Sequence, residues 1–226
     1  MEAPFLIFVG LVALLMIAAI IASVVAARKR REALQQLATH LGLEFDPEKD
    51  YDLPRRFRFL NKLRQGENRY AFNRLAGTFA GHAVRVFDFH YETYSTDSKG
   101  NRQTHHHHCS FFMLFLPREF PEVTITREDL LSKIAQAFGY DDIDFESAEF
   151  SRKFCVRSKD KRFAYDVCHP RLIEYLLANS DLTLEIEGSV LALAFPARLK
   201  PDQIEPNLRR LVAVRELLPA YLFNSP

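Results

Sequence analysis

The sequence predicts an α+β protein: an N-terminal transmembrane helix followed by a mainly antiparallel sheet with about three packed helices. Two observations lead to this fold class. Residues 3–27 carry no charged side chain, and four consecutive cations follow them. In the rest of the chain, runs with strand periodicity come in neighbouring pairs and helical patterns come singly between them. That order is typical of an antiparallel α+β sheet and not of a doubly wound parallel one.

The apolar segment is predicted to be an uncleaved membrane anchor. Its 25 residues exceed the roughly 20 that a helix needs to cross a bilayer. Glu2 precedes it and Arg28, Lys29, Arg30 and Arg31 follow it, which is the reverse of the charge order in a secretory signal peptide. Because Lys and Arg beside a span stay cytoplasmic, we expect a single-pass protein of the cell (inner) membrane. Its N-terminus would lie outside and its soluble part in the cytoplasm.

Composition describes an ordinary globular domain behind this anchor. The chain has 226 residues, 48% of them hydrophobic, and 30 basic against 29 acidic side chains. A net charge so close to zero produces no overall positive potential that would attract nucleic acid, so no nucleic-acid partner is expected. Cys109, Cys155 and Cys168 follow no disulfide or metal spacing, which agrees with reduced thiols in the cytoplasm.

Three regions follow from these features. Residues 1–27 form the anchor, 28–69 a juxtamembrane helix and basic linker, and 70–226 a soluble α+β domain. Two similar halves, 70–139 and 143–218, are an alternative organisation of that domain, because each has strands followed by a helix.

The first elements of the soluble part are a helix and three strands. Leu34, Leu37, Ala38 and Leu41 form one helical stripe that ends at Gly42. Strands are predicted over 70–79 and 84–94, because apolar and polar residues alternate from 87 to 92 with a period of two. A central strand over 104–116 ends in a run that is apolar on both faces, and Pro117 is expected to close it.

The remaining elements alternate between helices and strands. A helix over 126–138 should start at Thr126, whose hydroxyl is a suitable N-cap. Pro170 in a first turn favours a helix over 169–177. The other predicted elements are strands over 143–156 and 162–167, a hairpin of 182–187 with 190–195, and a last helix over 201–218.

Four consecutive histidines and a cysteine make the most distinctive motif. On a strand, His105, His107 and Cys109 share one face, while His106 and His108 share the other. Imidazole and thiolate are good zinc ligands, and His90 from the preceding strand is taken as a fourth ligand beside His105, His107 and Cys109. The alternative is an exposed strand end with idle histidines and no cofactor.

Two further features concern the membrane. Segment 53–65 mixes aromatic residues with cations, among them Arg55, Arg56 and Arg58, and it either lies on anionic headgroups with Arg28 to Arg31 or contributes its aromatics to the core. Small residues recur every fourth position in the span, at 18, 22 and 26 and at 19, 23 and 27. Such spacing allows a homodimer through the transmembrane helix, although alanine is common in spans and GxxxG is absent.

No common catalytic fingerprint occurs: the chain has no G-x-S-x-G, H-E-x-x-H, P-loop or G-x-G-x-x-G. The leading interpretation is therefore a membrane-anchored cytoplasmic interaction or scaffold domain without catalysis, whose partners are the lipid bilayer and an unknown protein. The alternatives are a metal-binding protein or metal-dependent enzyme that uses the strand at His105–His108, and a sensor of anionic lipid headgroups.

Two segments resemble a known family. FESAEFSRKFCVRSKDKRFAYDVCHPRLIEYLL at 145–177 and FDFHYETYSTDSKGNRQTHHHHCSFF at 87–112 are similar to a family of uncharacterised bacterial single-pass membrane proteins, catalogued as a domain of unknown function. The resemblance implies a bacterial membrane protein and supports the anchor. It implies no activity, catalytic residue or ligand.

Overall fold

The computed structural model describes residues 2–98, 100–128 and 142–224. It has an α+β fold, as the sequence predicts: a long apolar N-terminal helix, an antiparallel sheet and several helices. The helices are α1 (Glu2–Leu41), α2 (Leu53–Arg56), α3 (Ala148–Lys153), α4 (Lys161–Val167), α5 (Pro170–Ala178), α6 (Ile204–Leu217) and α7 (Tyr221–Asn224). Short 3₁₀ turns lie at Asn61–Arg64 and Pro201–Gln203.

In the described part of the chain the strands form one six-stranded antiparallel sheet. They are β1 (Glu44–Asp46), β2 (Glu67–Phe79), β3 (His82–Thr96), β4 (Arg102–Arg127), β5 (Phe154–Ser158) and β6 (Leu184–Phe195). The order is β1-β2-β3-β4-β5, and β6 also pairs with β4. Both 70–139 and 143–218 therefore contribute strands to the same sheet.

Each face of the sheet is covered by a different hydrophobic cluster. On one face Leu34 and Ala38 of α1 join the helices α5 and α6 over Val84 and Val86 of β3. On the other face the segment 53–63 covers Phe87, Phe89 and their neighbours on β4. The period of two along β3 separates these two sets, since successive side chains of a strand point to opposite faces.

Helix α1 extends without a break from the apolar segment to Leu41, and its last turns pack on the sheet. Gly42, at φ +68°, ends it in the left-handed conformation that glycine adopts readily. Among the described residues, α1 is the one helix long and apolar enough to cross a membrane, and its most apolar stretch is not buried by the protein. The predictions of β2, β3, α5 and α6 are also confirmed, and the first turn of the last predicted helix is 3₁₀.

Strand β4 is much longer than expected. It does not end at Pro117 but continues to Arg127, with shifts in its register to β6 between Phe115 and Phe120 and again before Val123. Proline lacks a ladder donor and is tolerated where the pairing is interrupted. Thr126 pairs with Cys155 in this strand and is no helix cap. The rest of the predicted helix over 126–138 lies almost wholly outside the described residues.

Two of the expected strand regions contain helices. Ser147 accepts a hydrogen bond from the Phe150 amide and starts α3, and Asp160 accepts one from the Phe163 amide and starts α4. Side-chain caps of this kind favour a helix over an extended chain. Among the described residues 143–167, the strand is Phe154–Ser158, which overlaps the end of the first predicted region.

The predicted hairpin near residue 188 is a single strand instead. Gly188 pairs with Phe120 at the irregular part of β4 and has φ +56°. A glycine in this conformation within a strand is typical of a bulge. It bends β6 without reversing it.

Candidate functional site

The C-terminal half of α1 is attached to the sheet by a partly buried ion pair. Arg30 Nη2 lies 2.8 Å from Asp88 Oδ1 and Arg30 Nε lies 3.0 Å from Asp88 Oδ2, and Arg30 Nη1 donates to the Leu199 carbonyl at 2.7 Å. Asn73 and Ser110 also donate to the Asp88 carboxylate. The Asp88 side chain is 3% exposed and that of Arg30 16%. Arg30 therefore binds the sheet, and its place among the lipid-facing cations is wrong.

The other predicted membrane-interface cations remain at the surface. Arg28, Lys29 and Arg31 are exposed on α1, and Arg55, Arg56 and Arg58 are exposed in the 53–65 segment. Leu53, Leu60 and Leu63 of that segment are fully buried under the opposite face of the sheet from α1. The apolar residues of 53–65 belong to the core, as the second interpretation of this segment expected.

The direction of β3 relates the sheet to the membrane span. At the end of α1, Leu43 packs on Gly77, which pairs with Val84 of β3. Arg30, about 4.5 Å along the helix from Ala27 at the end of the apolar segment, reaches Asp88 of the same strand. β3 therefore runs from Val84 through Asp88 towards the apolar half of α1, and its residues beyond Asp88 lie on the membrane side.

Four polar side chains form a square on this membrane side of the sheet, on the face that carries α1. In the register of β3 and β4, His90 is directly opposite His108 and Glu92 is directly opposite His106. His90 Nε2 and His106 Nδ1 are 3.2 Å apart, and Glu92 Oε1 lies 3.3 Å from His106 Nδ1 and 3.9 Å from His90 Nε2. The His108 ring is 4.9 Å from the His90 ring. We name His90, Glu92, His106 and His108 the histidine square.

Neighbouring groups orient the two buried members of the square. Asn68 lies at a register shift of β2 and has a positive φ of +46°. Its backbone carbonyl accepts a hydrogen bond from His90 Nδ1 at 3.1 Å. Its side-chain amide donates to Glu92 Oε1 at 2.6 Å, and the Tyr94 hydroxyl donates to Glu92 Oε2 at 3.1 Å. Since His90 Nδ1 carries the proton in that bond, His90 Nε2 presents its lone pair to the square.

These contacts also set the protonation of the square. The hydrogen bond from Asn68 holds the pKa of Glu92 below its ordinary value, with Tyr94 and His106 acting in the same direction. Burial lowers the pKa of His90 and of His108. The arrangement therefore favours neutral His90 and His108 imidazoles and an ionised Glu92 carboxylate, and neutral imidazole and ionised carboxylate are the forms that bind a metal ion.

The predicted ligand set does not come together around His90. His105, His107 and Cys109 do share a face, as expected, but it is the opposite one from His90. His107 Nε2 bonds with the Thr93 hydroxyl and His105 Nε2 with the Ser95 hydroxyl, each at 2.7 Å. The correction follows from register, because pairing His90 with His108 fixes the face on which His90 lies.

The three thiols are buried and free. Burial raises the pKa of Cys109 and of Cys155 to about 12, and it raises that of Cys168 as well. A thiol that stays protonated is neither a nucleophile nor a ready metal ligand.

A cluster of carboxylates lies elsewhere, between segment 53–65 and the sheet. Glu185 Oε1 accepts from the amide nitrogen of Asn61 at 2.6 Å and from its side chain at 2.7 Å, and the same side chain donates to Glu122. Burial raises the pKa of Glu185 to about 8 and that of Glu187 to about 6, with the charge of Glu122 acting in the same direction.

Stability is expected to depend on pH through Glu185. The folded pKa of about 8 is above the ordinary 4.5, so the favourable contribution is complete below about 4.5 and is lost as pH rises through 8. Between pH 5 and 9 the wild type should lose at least about 1.4 kcal/mol, the equivalent of one pKa unit, relative to Glu185→Gln. Denaturant unfolding at both pH values measures this difference. Parallel pH profiles of the two proteins would contradict the prediction.

Comparison with known proteins identifies a shared fold. No protein-family model matches the chain, and no curated protein gives a significant match. Among solved structures, the crystal structure of the mycobacterial trehalose monomycolate transport factor A, TtfA, is similar with a TM-score of 0.61 and 16% identity. The match covers 85% of this chain and 96% of that one. The likeness shows that this chain has the α+β fold of that transport factor. The membrane prediction rests on α1, which is long and apolar enough to cross a bilayer.

Sequence reasoning missed five residues of the site: Asn68, Asp88, Glu92, His106 and His108. The two histidines were placed correctly on the face opposite His105 and His107, but they were not among the predicted ligands. The sequence does contain a signal for Glu92, because a residue two positions from His90 lies on the same face of a strand. Asp88 is on that face too, but the sequence offers many cations as its partner. Asn68 depends on a bulge in β2, for which the pattern of polar residues has no marker.

Proposed function

We propose that this protein is a membrane-anchored cytoplasmic scaffold domain that presents a rigidly mounted sheet to a protein partner at the inner membrane. The observation that carries the proposal is the Arg30–Asp88 ion pair, close to the end of the apolar segment. With α1 continuous and its cytoplasmic turns packed on the sheet, the domain cannot rotate freely about its anchor. A fixed orientation is useful to a protein that positions a partner, and a flexible tether would suffice for a diffusing enzyme.

The fold likeness to a transport factor is in line with an accessory role. TtfA is described as a transport factor, and the match extends over 96% of its chain. An accessory protein of a membrane process needs an anchor and an interaction surface but no catalytic centre. The buried thiols and the absence of common catalytic motifs agree with that role.

The cytoplasmic placement of the domain rests on charge. Arg28, Lys29 and Arg31 are exposed directly after the apolar segment. Cations beside a membrane span are retained on the cytoplasmic side, so these three residues favour a cytoplasmic domain. Free cysteines suit a reducing compartment. The resemblance of 87–112 and 145–177 to a family of bacterial single-pass proteins supports the inner membrane.

Topology is tested with reporters. A fluorescent protein fused after Pro226 should be bright, and alkaline phosphatase fused at the same position should be inactive, because the domain stays in the cytoplasm. Fusions before Glu2 should give the reverse result. Active phosphatase after Pro226 would refute the orientation.

The scaffold role is tested by purification from native membranes in mild detergent. The wild-type protein should carry a membrane partner in a constant ratio, and Arg30→Ala should reduce that ratio about tenfold because the sheet is no longer held in place. Arg28→Ala is the matched control and should retain the partner, since the Arg28 side chain is 82% exposed and pairs with Glu32 of the same helix. A wild-type protein that purifies alone would contradict the proposal.

A further inference from the structure

We propose that the histidine square binds a first-row divalent metal ion, with zinc as the reference ion, through His90 Nε2, His106 Nδ1 and Glu92 Oε1. The site is distinct from the scaffold role and does not depend on it. Its fourth position is open to solvent.

The spacing of the three donor atoms suits such an ion. Zinc binds imidazole nitrogen and carboxylate oxygen at about 2.0–2.2 Å, so neighbouring donor atoms of a tetrahedral site are about 3.3–3.6 Å apart. The observed separations are 3.2, 3.3 and 3.9 Å. A shift of a few tenths of an ångström, within the freedom of the exposed His106 ring, would bring all three within bonding distance of one ion.

The donors are held by outer contacts of the kind that metal sites use. The His90 Nδ1–H to Asn68 carbonyl bond leaves Nε2 as the metal-binding nitrogen, and a ligating histidine commonly donates its other N–H to such a carbonyl. Glu92 keeps one carboxylate oxygen on the Tyr94 hydroxyl while the other faces the imidazoles. The Tyr70 ring stacks on His90 at 4.4 Å and limits its rotation.

Burial distinguishes this site from a loose cluster of histidines. The His90 and Glu92 side chains are 4% and 11% exposed, whereas His106 is 58% exposed. Two ligands are therefore fixed in the sheet and the third lies on the solvent side, where an ion can enter. Because two nitrogens and one carboxylate oxygen leave the fourth position to water, the site suits zinc or a similar transition ion and does not suit calcium, which prefers six to eight oxygens.

The test uses the full chain in detergent, purified without a histidine tag, stripped with a chelator and titrated with zinc chloride by calorimetry. We expect one zinc per chain for the wild type. His106→Ala and Glu92→Gln should each weaken binding at least tenfold. Because His106 is exposed and Glu92→Gln keeps its size, both variants should fold, which circular dichroism checks.

The opposite face of the same strand supplies the matched control. His105→Ala/His107→Ala removes two histidines that face away from His90, so it should bind one zinc with unchanged affinity. Zinc should also raise the melting temperature of the wild type and of this control, but not that of His106→Ala. Replacing zinc by cobalt should give the visible absorption of a four-coordinate ion in the wild type and the control only.

Two results would overturn the proposal. One is a wild-type protein that takes up no stoichiometric zinc. The other is a loss of binding in His105→Ala/His107→Ala equal to that in His106→Ala, since this would mean that exposed histidines bind zinc without a defined site.

Discussion

Phe154→Ala is expected to destabilise the protein by about 3–5 kcal/mol, and Leu176→Ala by about 2–5 kcal/mol. Phe154 begins β5, is 2% exposed and stacks on the Phe150 ring with centroids 5.2 Å apart. Leu176 of α5 has no exposed surface and belongs to the same cluster. Each substitution removes a side chain from a packed interior and leaves a cavity that its neighbours fill only in part.

Urea unfolding of the full chain in detergent, followed by tyrosine fluorescence, measures both effects. The chain has eight tyrosines and no tryptophan, so this signal reports mainly on the sheet domain. Glu174→Ala is the control on α5: its side chain is exposed, and surface changes of this kind stay within about 0.5 kcal/mol. Equal midpoints for Leu176→Ala and Glu174→Ala would show that α5 does not pack on the sheet through Leu176.

Asp88→Ala is expected to cost about 3–5 kcal/mol, because it leaves the partly buried Arg30 guanidinium without its counter-charge. Asn73 and Ser110 lose their acceptor at the same time. The same urea unfolding experiment applies. Glu32→Ala is the matched control, since it removes the acid of an exposed pair on α1 and should change stability by less than about 1 kcal/mol.

A double-mutant cycle separates the ion pair from its surroundings. If Arg30 and Asp88 stabilise each other, Arg30→Ala/Asp88→Ala should be less destabilised than the sum of the two single variants, by about 0.5–3 kcal/mol. If the losses in free energy of unfolding are strictly additive, the two side chains act independently. The ion pair would then not support the fixed orientation of the sheet on which the proposed function depends.

The elements that the sequence predicted correctly are those with a strong local signal. The span and its continuation as α1, the alternation along β3 and the apolar stripes of α5 and α6 each extend over several turns or residue pairs. The incorrect predictions occur where a single helix cap or a glycine with positive φ determines the local structure. Ser147 and Asp160 start helices within regions that alternate like strands, and the positive φ of Gly188 turns an expected hairpin into one bent strand.

The residues of the candidate site also fall into those that a local pattern placed correctly and those that it could not place. The period of a strand was enough to place His105, His107 and Cys109 on one face and His106 and His108 on the other. It was not enough to say which of these faces His90 shares. That depends on the register of β3 against β4, and a shift of one residue would have exchanged the faces.

The sequence by itself thus determined that the chain has an apolar anchor followed by cations, an α+β domain and histidines alternating along one strand, because composition and periodicity are local properties. Only the tertiary structure decided that Arg30 belongs to the sheet and that His90, Glu92 and His106 meet. Arg30 and Asp88 are 58 residues apart, and their pairing depends on how α1 packs. Contacts between residues so distant in the chain arise from register and packing, which no local pattern encodes.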